Sequence, residues 1–72
     1  MRKRKFSIDQ LTENEHNTLV FICSGLTSGQ IGKKMLYSKR TVEGFRNSLL
    51  YKTKARNVAE LVAIAFRNKL VK

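Results

Sequence analysis

The sequence has no proline and no tryptophan, one cysteine, five acidic residues, and no apolar run near the roughly 18 residues that a membrane-spanning helix needs. Each scarcity narrows the possibilities. Without proline, no helical segment is broken by a ring that lacks an N–H. Without tryptophan, a basic helix lying on an anionic membrane lacks its best interfacial anchor. The single thiol, Cys23, has no mate for a disulfide or a metal site, which fits a reducing cytoplasm and leaves Cys23 as a small core hydrophobe. No nucleophile with a base partner, no acid pair and no glycine-rich phosphate loop is present, so the sequence offers no enzyme, no cofactor and no metal. The shortage of acid leaves the clearest mark. Fifteen Lys and Arg against five Asp and Glu give a net charge of +10, which favours a polyanionic partner, with nucleic acid first.

At 72 residues the chain has room for one core. The basic start Met1–Lys5 could open a signal peptide, but Phe6–Gln10 follows where a long apolar stretch would be required, so no export signal is read. Residues 31–72 hold 11 of the 15 basic side chains with only Glu43 and Glu60 to oppose them, so the field comes from the C-terminal part. Residues 1–10 read as a basic tail or linker, a minor-groove arm or an appended stretch being the alternatives, and residues 11–72 as the domain.

Three Ser, Thr or Asn residues with a Glu or Gln three positions on mark helix starts, and a fourth start lacks that partner. Thr12 with Glu15 opens a first helix that runs through Leu19, Ile22 and Cys23 to Gly25, a residue suited to a left-handed end. Thr27 with Gln30 opens a short second helix carrying Ile31 and Met35 on one face. Ser38, followed by Lys39, Arg40 and Thr41, opens a third that reaches Lys52 or Thr53, and Asn57 with Glu60 opens a fourth from Val58 to about Asn68. No β-branched alternation suggests strands, so the expected fold is all-α with four helices.

Between Met35 and Ser38 only Leu36 and Tyr37 remain, which is helix-turn-helix spacing. Ile31, Met35, Tyr37, Val42 and Phe45 fall where such a pair buries apolar contacts. Gly32 falls where the helices approach most closely, so a side chain larger than Ala there is expected to push them apart. Val42, Phe45 and Leu49 turn to the core at intervals of three and four, which makes core packing the expected role of Phe45 over base stacking. Lys39, Arg40, Glu43, Gly44 and Asn47 face outward, on a surface that fits the major groove. Asn47 can donate to and accept from an adenine edge, and Glu43 can accept from a cytosine amino group. Gly44 lets the backbone approach closely. Lys39, Arg40 and Arg46 suit phosphates, with Ser38 and Thr41 as neutral phosphate contacts.

These residues together resemble the LuxR-type, or NarL-type (GerE-like), helix-turn-helix domain that ends many bacterial response regulators and quorum-sensing activators. The resemblance covers about residues 11–71 and rests on Leu11-Thr12 with Glu15 and Leu19, on Gly25-Leu26-Thr27 with Gln30-Ile31-Gly32, and on Ser38-Lys39-Arg40-Thr41-Val42. Arg46-Asn47, Leu49-Leu50, Lys52-Thr53, Ala55-Arg56-Asn57 and Ala59-Glu60-Leu61-Val62 look like the response-regulator branch in particular. The resemblance implies transcriptional control, a third helix that reads the major groove through Glu43, Gly44 and Asn47, and a fourth that mediates dimer contact. With the chain's length it suggests an effector domain cut from a longer regulator, a free-standing small regulator being the alternative. The chain departs from the commonest pattern at Glu43 and Asn47, where Lys is frequent, at Phe45, where His is frequent, and at Gly29, where Lys often lies.

The fourth helix carries Val58, Ala59, Leu61, Val62, Ala63, Ile64, Ala65 and Phe66 on nearly every side, more than one core can cover. A homodimer on double-stranded DNA, paired through Val58, Leu61, Val62 and Ala65, is the expected assembly. The competing reading is a module of the same fold that contacts another regulator or RNA polymerase. His16 reads as a plain surface residue, Met35 as core, and the Tyr37 hydroxyl as free to meet phosphate.

Overall fold

A computed structural model describes residues 8–71. A single 3-10 turn over Ile8–Gln10 leads into four helices: α1 (Glu13–Cys23), α2 (Ser28–Met35), α3 (Lys39–Thr53) and α4 (Val58–Arg67). No strand occurs among the described residues. Most of the expected tail, Met1–Ser7, lies outside the described residues. Its last residues do not dangle: the Gln10 carbonyl accepts from Lys52 Nζ at 3.2 Å.

Each helix begins where a side-chain oxygen satisfies backbone N–H groups that have no partner within the helix. Thr12 and Glu15 form a reciprocal capping box on α1, and Thr27 and Gln30 form another on α2. Ser38 accepts from the Thr41 N–H at the start of α3. At α4, Asn57 accepts from the Glu60 N–H, but the Glu60 carboxylate turns one residue further back, to the Arg56 N–H at 2.6 Å. That contact, with the Arg56 guanidinium, holds the Glu60 carboxyl below its usual range.

The helix ends share a device that sequence discloses at only one of them. Gly25 has φ +91° and closes α1, with the Leu26 N–H reaching back to the Phe21 carbonyl. Leu36, Lys54 and Lys69 do the same for α2, α3 and α4 with φ of 62°, 60° and 57°, although none is glycine. The following N–H groups of Tyr37, Ala55 and Leu70 bond back to Gly32, Leu50 and Ala65, and this return bond opposes the cost of about 1 kcal/mol of left-handed backbone.

The core gathers Leu19, Leu49, Leu61, Ala65 and Leu70, with Leu11, Ile22, Cys23, Leu50, Ala55 and Val71 packed around it. Ile31 and Val42 are buried between α2 and α3. Burial contributes roughly 1.5–3 kcal/mol for each large side chain removed from water. α3 packs against all three other helices, which makes it the central rod and orients its outer face.

Three expectations are corrected by the packing. Leu61 and Ala65 are fully buried within the single chain, so they belong to its own core and cannot form the surface of a dimer. The apolar residues left on the outside of α4 are Ala59, Ala63 and Phe66, with Val58, Val62 and Ile64 half-buried. Second, Tyr37 is exposed, not core; its ring meets Phe45 edge-on at 5.3 Å and 80°, and its hydroxyl accepts from Asn14 Nδ2 at 3.1 Å, so that oxygen already has a partner. Third, His16 is half-buried, and its Nε2 lies 3.1 Å from the Leu70 carbonyl, tying α1 to the segment after α4. Gly32 is stricter than expected: a Cβ there would lie 2.6 Å from the Tyr37 carbonyl oxygen, so even Ala collides with backbone.

Candidate nucleic-acid interface

The Ser38 cap starts α3, and packing against the three other helices aims it. Its inner side is held by Val42 and Leu49, both fully buried. On the flank toward α1, the Glu15 carboxylate is 5% exposed and receives Lys52 Nζ at 2.7 Å, the Ser48 hydroxyl, and the Thr12 N–H at 2.9 Å. Burial pushes its pKa up, but the hydrogen bonds from Lys52, Ser48 and Thr12 and the Lys52 charge outweigh that and bring it down to about 2. The pair clamps α1 to the C-terminal half of α3 and removes Lys52 from the free positive charge of the helix.

The opposite side of α3 is a ridge at helical spacing, Arg40, Gly44, Asn47 and Tyr51, every member exposed. Among the described residues the Arg40 and Asn47 side chains form no hydrogen bond or ion pair. A Cβ at Gly44 would meet nothing within 4 Å, so packing does not require glycine there and the helix backbone is approachable. At the head of the helix Ser38 and Thr41 are exposed with their hydroxyl oxygens 2.9 Å apart, and Lys39 stands exposed beside them.

Glu43 and Arg46 stand elsewhere. Both are half-buried and, with Lys39, line a cleft shared with the Gly25–Thr27 turn, the first residues of α2 and Val58. Arg46 Nε is sealed from solvent without a partner among the described residues. The expected base contacts are therefore divided, with Gly44 and Asn47 on the outer ridge and Glu43 on its flank, and so are the expected phosphate contacts, with Arg40 on the ridge and Arg46 beside Glu43. Tyr51, 85% exposed, completes the ridge and was not among the expected contacts. The signal for it was in the spacing, since it lies four residues beyond Asn47 and opposite the Val42–Leu49 side.

Elsewhere Lys33, Lys34, Lys54, Arg67 and Lys69 are exposed, and the Cys23 thiol, pushed up by burial, is held in its unreactive form. Among the described residues no helix is long and apolar enough to cross a membrane.

A short capped helix meeting a longer one across the Leu36–Tyr37 turn, with Gly32 at the crossing, is the helix-turn-helix class. The chain belongs within it to the luxR family of bacterial regulatory proteins, whose profile matches residues 9–65. It is 40% identical over 60 residues to the probable transcriptional regulator ycf29 of Cyanophora paradoxa, covering 83% of this chain and 29% of that protein. It is 29% identical over 63 residues to the DNA-binding transcriptional activator EvgA of Escherichia coli K12, covering 88% of this chain and 31% of that one. The chain thus spans less than a third of the length of these relatives. No solved structure matches it significantly. Family membership makes it a DNA-binding regulator by class, and the class is not one of enzymes.

Proposed function

We propose that the chain is the effector domain of a bacterial two-component response regulator, working in the cytoplasm as a sequence-specific binder of double-stranded DNA. Its α3 enters the major groove from the N-terminal end. The observation that supports this most is the unpaired ridge: a helix whose α1-facing polar groups are satisfied leaves Arg40 and Asn47 without partners around an open glycine.

On this reading Asn47 hydrogen-bonds a base edge and Gly44 admits the backbone, while Ser38, Lys39, Arg40 and Thr41 hold phosphates at the groove entrance. Glu43 and Arg46 reach the duplex from the flank, Glu43 toward a base and Arg46 toward a phosphate. Two copies pair on DNA through the outer stripe of α4, Ala59, Val62, Ala63 and Phe66, which sets two α3 helices about 34 Å apart. The length of the relatives, whose remaining two-thirds this chain does not cover, supports the effector-domain reading.

The test compares Asn47→Ala with Arg40→Ala on a duplex selected from a random pool and on a scrambled one. Asn47→Ala is expected to erase about 1–3 kcal/mol of preference between them, and Arg40→Ala to weaken both alike. Equal loss on both duplexes from both variants would defeat the assignment of roles.

A further inference from the structure

The ridge does not stop at Asn47. One turn further on stands Tyr51, 85% exposed, and among the described residues its hydroxyl has no hydrogen-bond partner and its ring no aromatic neighbour. By helix geometry Arg40, Gly44, Asn47 and Tyr51 fall within about 60° of one another around the axis, and Tyr51 lies about 16 Å along it from Arg40. The ridge therefore has a notch at Gly44, where no side chain stands and no neighbour comes within 4 Å, and a projecting aromatic in the fourth turn.

A straight helix whose first turns meet base edges cannot follow a groove about 12 Å wide to its end, because the groove winds around the duplex and the helix does not. Its later turns come up against the phosphate wall. A tyrosine there reaches out from the helix and carries a hydroxyl that donates to phosphate oxygen.

Resting on the DNA-binding reading above, we propose that Tyr51 is a phosphate anchor at the far wall of the groove, its hydroxyl donating to a backbone oxygen and stopping α3 from sliding along the groove. It is the uncharged counterpart of Lys39 and Arg40 at the near wall. The difference in charge has a measurable consequence. A Lys or Arg on a phosphate releases condensed counterions and steepens the salt dependence of binding; a neutral hydroxyl releases none.

The experiment measures affinity by fluorescence anisotropy for the selected and scrambled duplexes across a salt series, with wild type, Tyr51→Phe, Arg40→Ala and Asn47→Ala. All three positions are exposed, and thermal melts check that each variant folds. Tyr51→Phe is expected to weaken both duplexes about tenfold, with the preference between them and the log–log salt slope unchanged. Arg40→Ala lowers that slope by about 0.9. Wild-type affinity in Tyr51→Phe overturns the proposal, and so does a loss confined to the selected duplex, which would make Tyr51 a base reader. If wild type prefers neither duplex and Asn47→Ala changes nothing, the DNA-reading assignment falls and takes this proposal with it. If Asn47→Ala loses preference while Tyr51→Phe binds as wild type, only the anchor falls.

Discussion

The two polar sides of α3 are built from similar residues and put to opposite uses. Toward α1, Ser48 and Lys52 converge on Glu15, which is 5% exposed and also accepts from the Thr12 N–H. Toward solvent, Arg40, Asn47 and Tyr51 stand without partners among the described residues, around a glycine that nothing crowds. A buried charge left unpaired would be costly, so the inner set is completed within the chain. An exposed polar group loses little by waiting in water, so the outer set can be kept for another molecule. Cations on the same helix therefore differ in kind: Lys52 contributes to stability, and Arg40 is available for binding.

The contrast breaks most severely on the inner side. Leu61→Asp, which puts a carboxylate into the core, is expected to cost more than about 4 kcal/mol and to leave the domain unfolded by circular dichroism. Ala63→Asp, two residues away on the exposed side of α4, should melt near wild type. Similar melting of the two would mean that α4 does not face the core as described.

Glu15→Gln comes next, at about 3 kcal/mol of lost stability in urea unfolding at neutral pH. Its pH signature follows from the depressed pKa. The carboxylate is stabilised in the folded state, so its contribution is complete above the ordinary value of 4.5 and is lost as pH falls toward about 2. Wild type should lose stability across that window, and the variant should show a flatter profile there.

Gly32→Ala should cost about 2 kcal/mol, because the new Cβ would meet the Tyr37 carbonyl at 2.6 Å and that oxygen belongs to the turn itself. Gly44→Ala is the matched control: with nothing within 4 Å, it should raise stability by about 0.5–1 kcal/mol through helix propensity while weakening DNA binding. A pair of glycine substitutions with equal effects on folding would remove the distinction between a packed and an approachable backbone.

Much of the inner architecture was legible. Thr12, Thr27, Ser38 and Asn57 each cap the helix expected of them, because capping is a local bond between residues three apart. The turn of Leu36 and Tyr37 was legible from its length, but not from its residues: a leucine at φ 62° carries no sequence signal that a glycine would. The second role of Glu15 was also hidden, since Ser48 and Lys52 lie 33 and 37 residues away and only the packing of α1 on α3 brings them in. In α4, alanine suits core and surface equally, so the alternation of buried Leu61 and Ala65 with exposed Ala59 and Ala63 could not be read from composition. On α3, Glu43 looked like a member of the outer face and Arg46 like a phosphate contact, but both are half-buried along a cleft that α3 forms with the start of α2, which spacing along one helix does not disclose.

The most direct measurement is an anisotropy titration of a mixed-sequence duplex at several salt concentrations, with wild type and Arg40→Glu side by side. Binding by wild type that falls steeply with salt, at about 0.9 in log–log slope per neutralised phosphate, and that Arg40→Glu abolishes is the result expected if the outer side of α3 meets DNA. Weak binding, indifferent both to salt and to Arg40, would contradict it and turn attention to α4 and a protein partner.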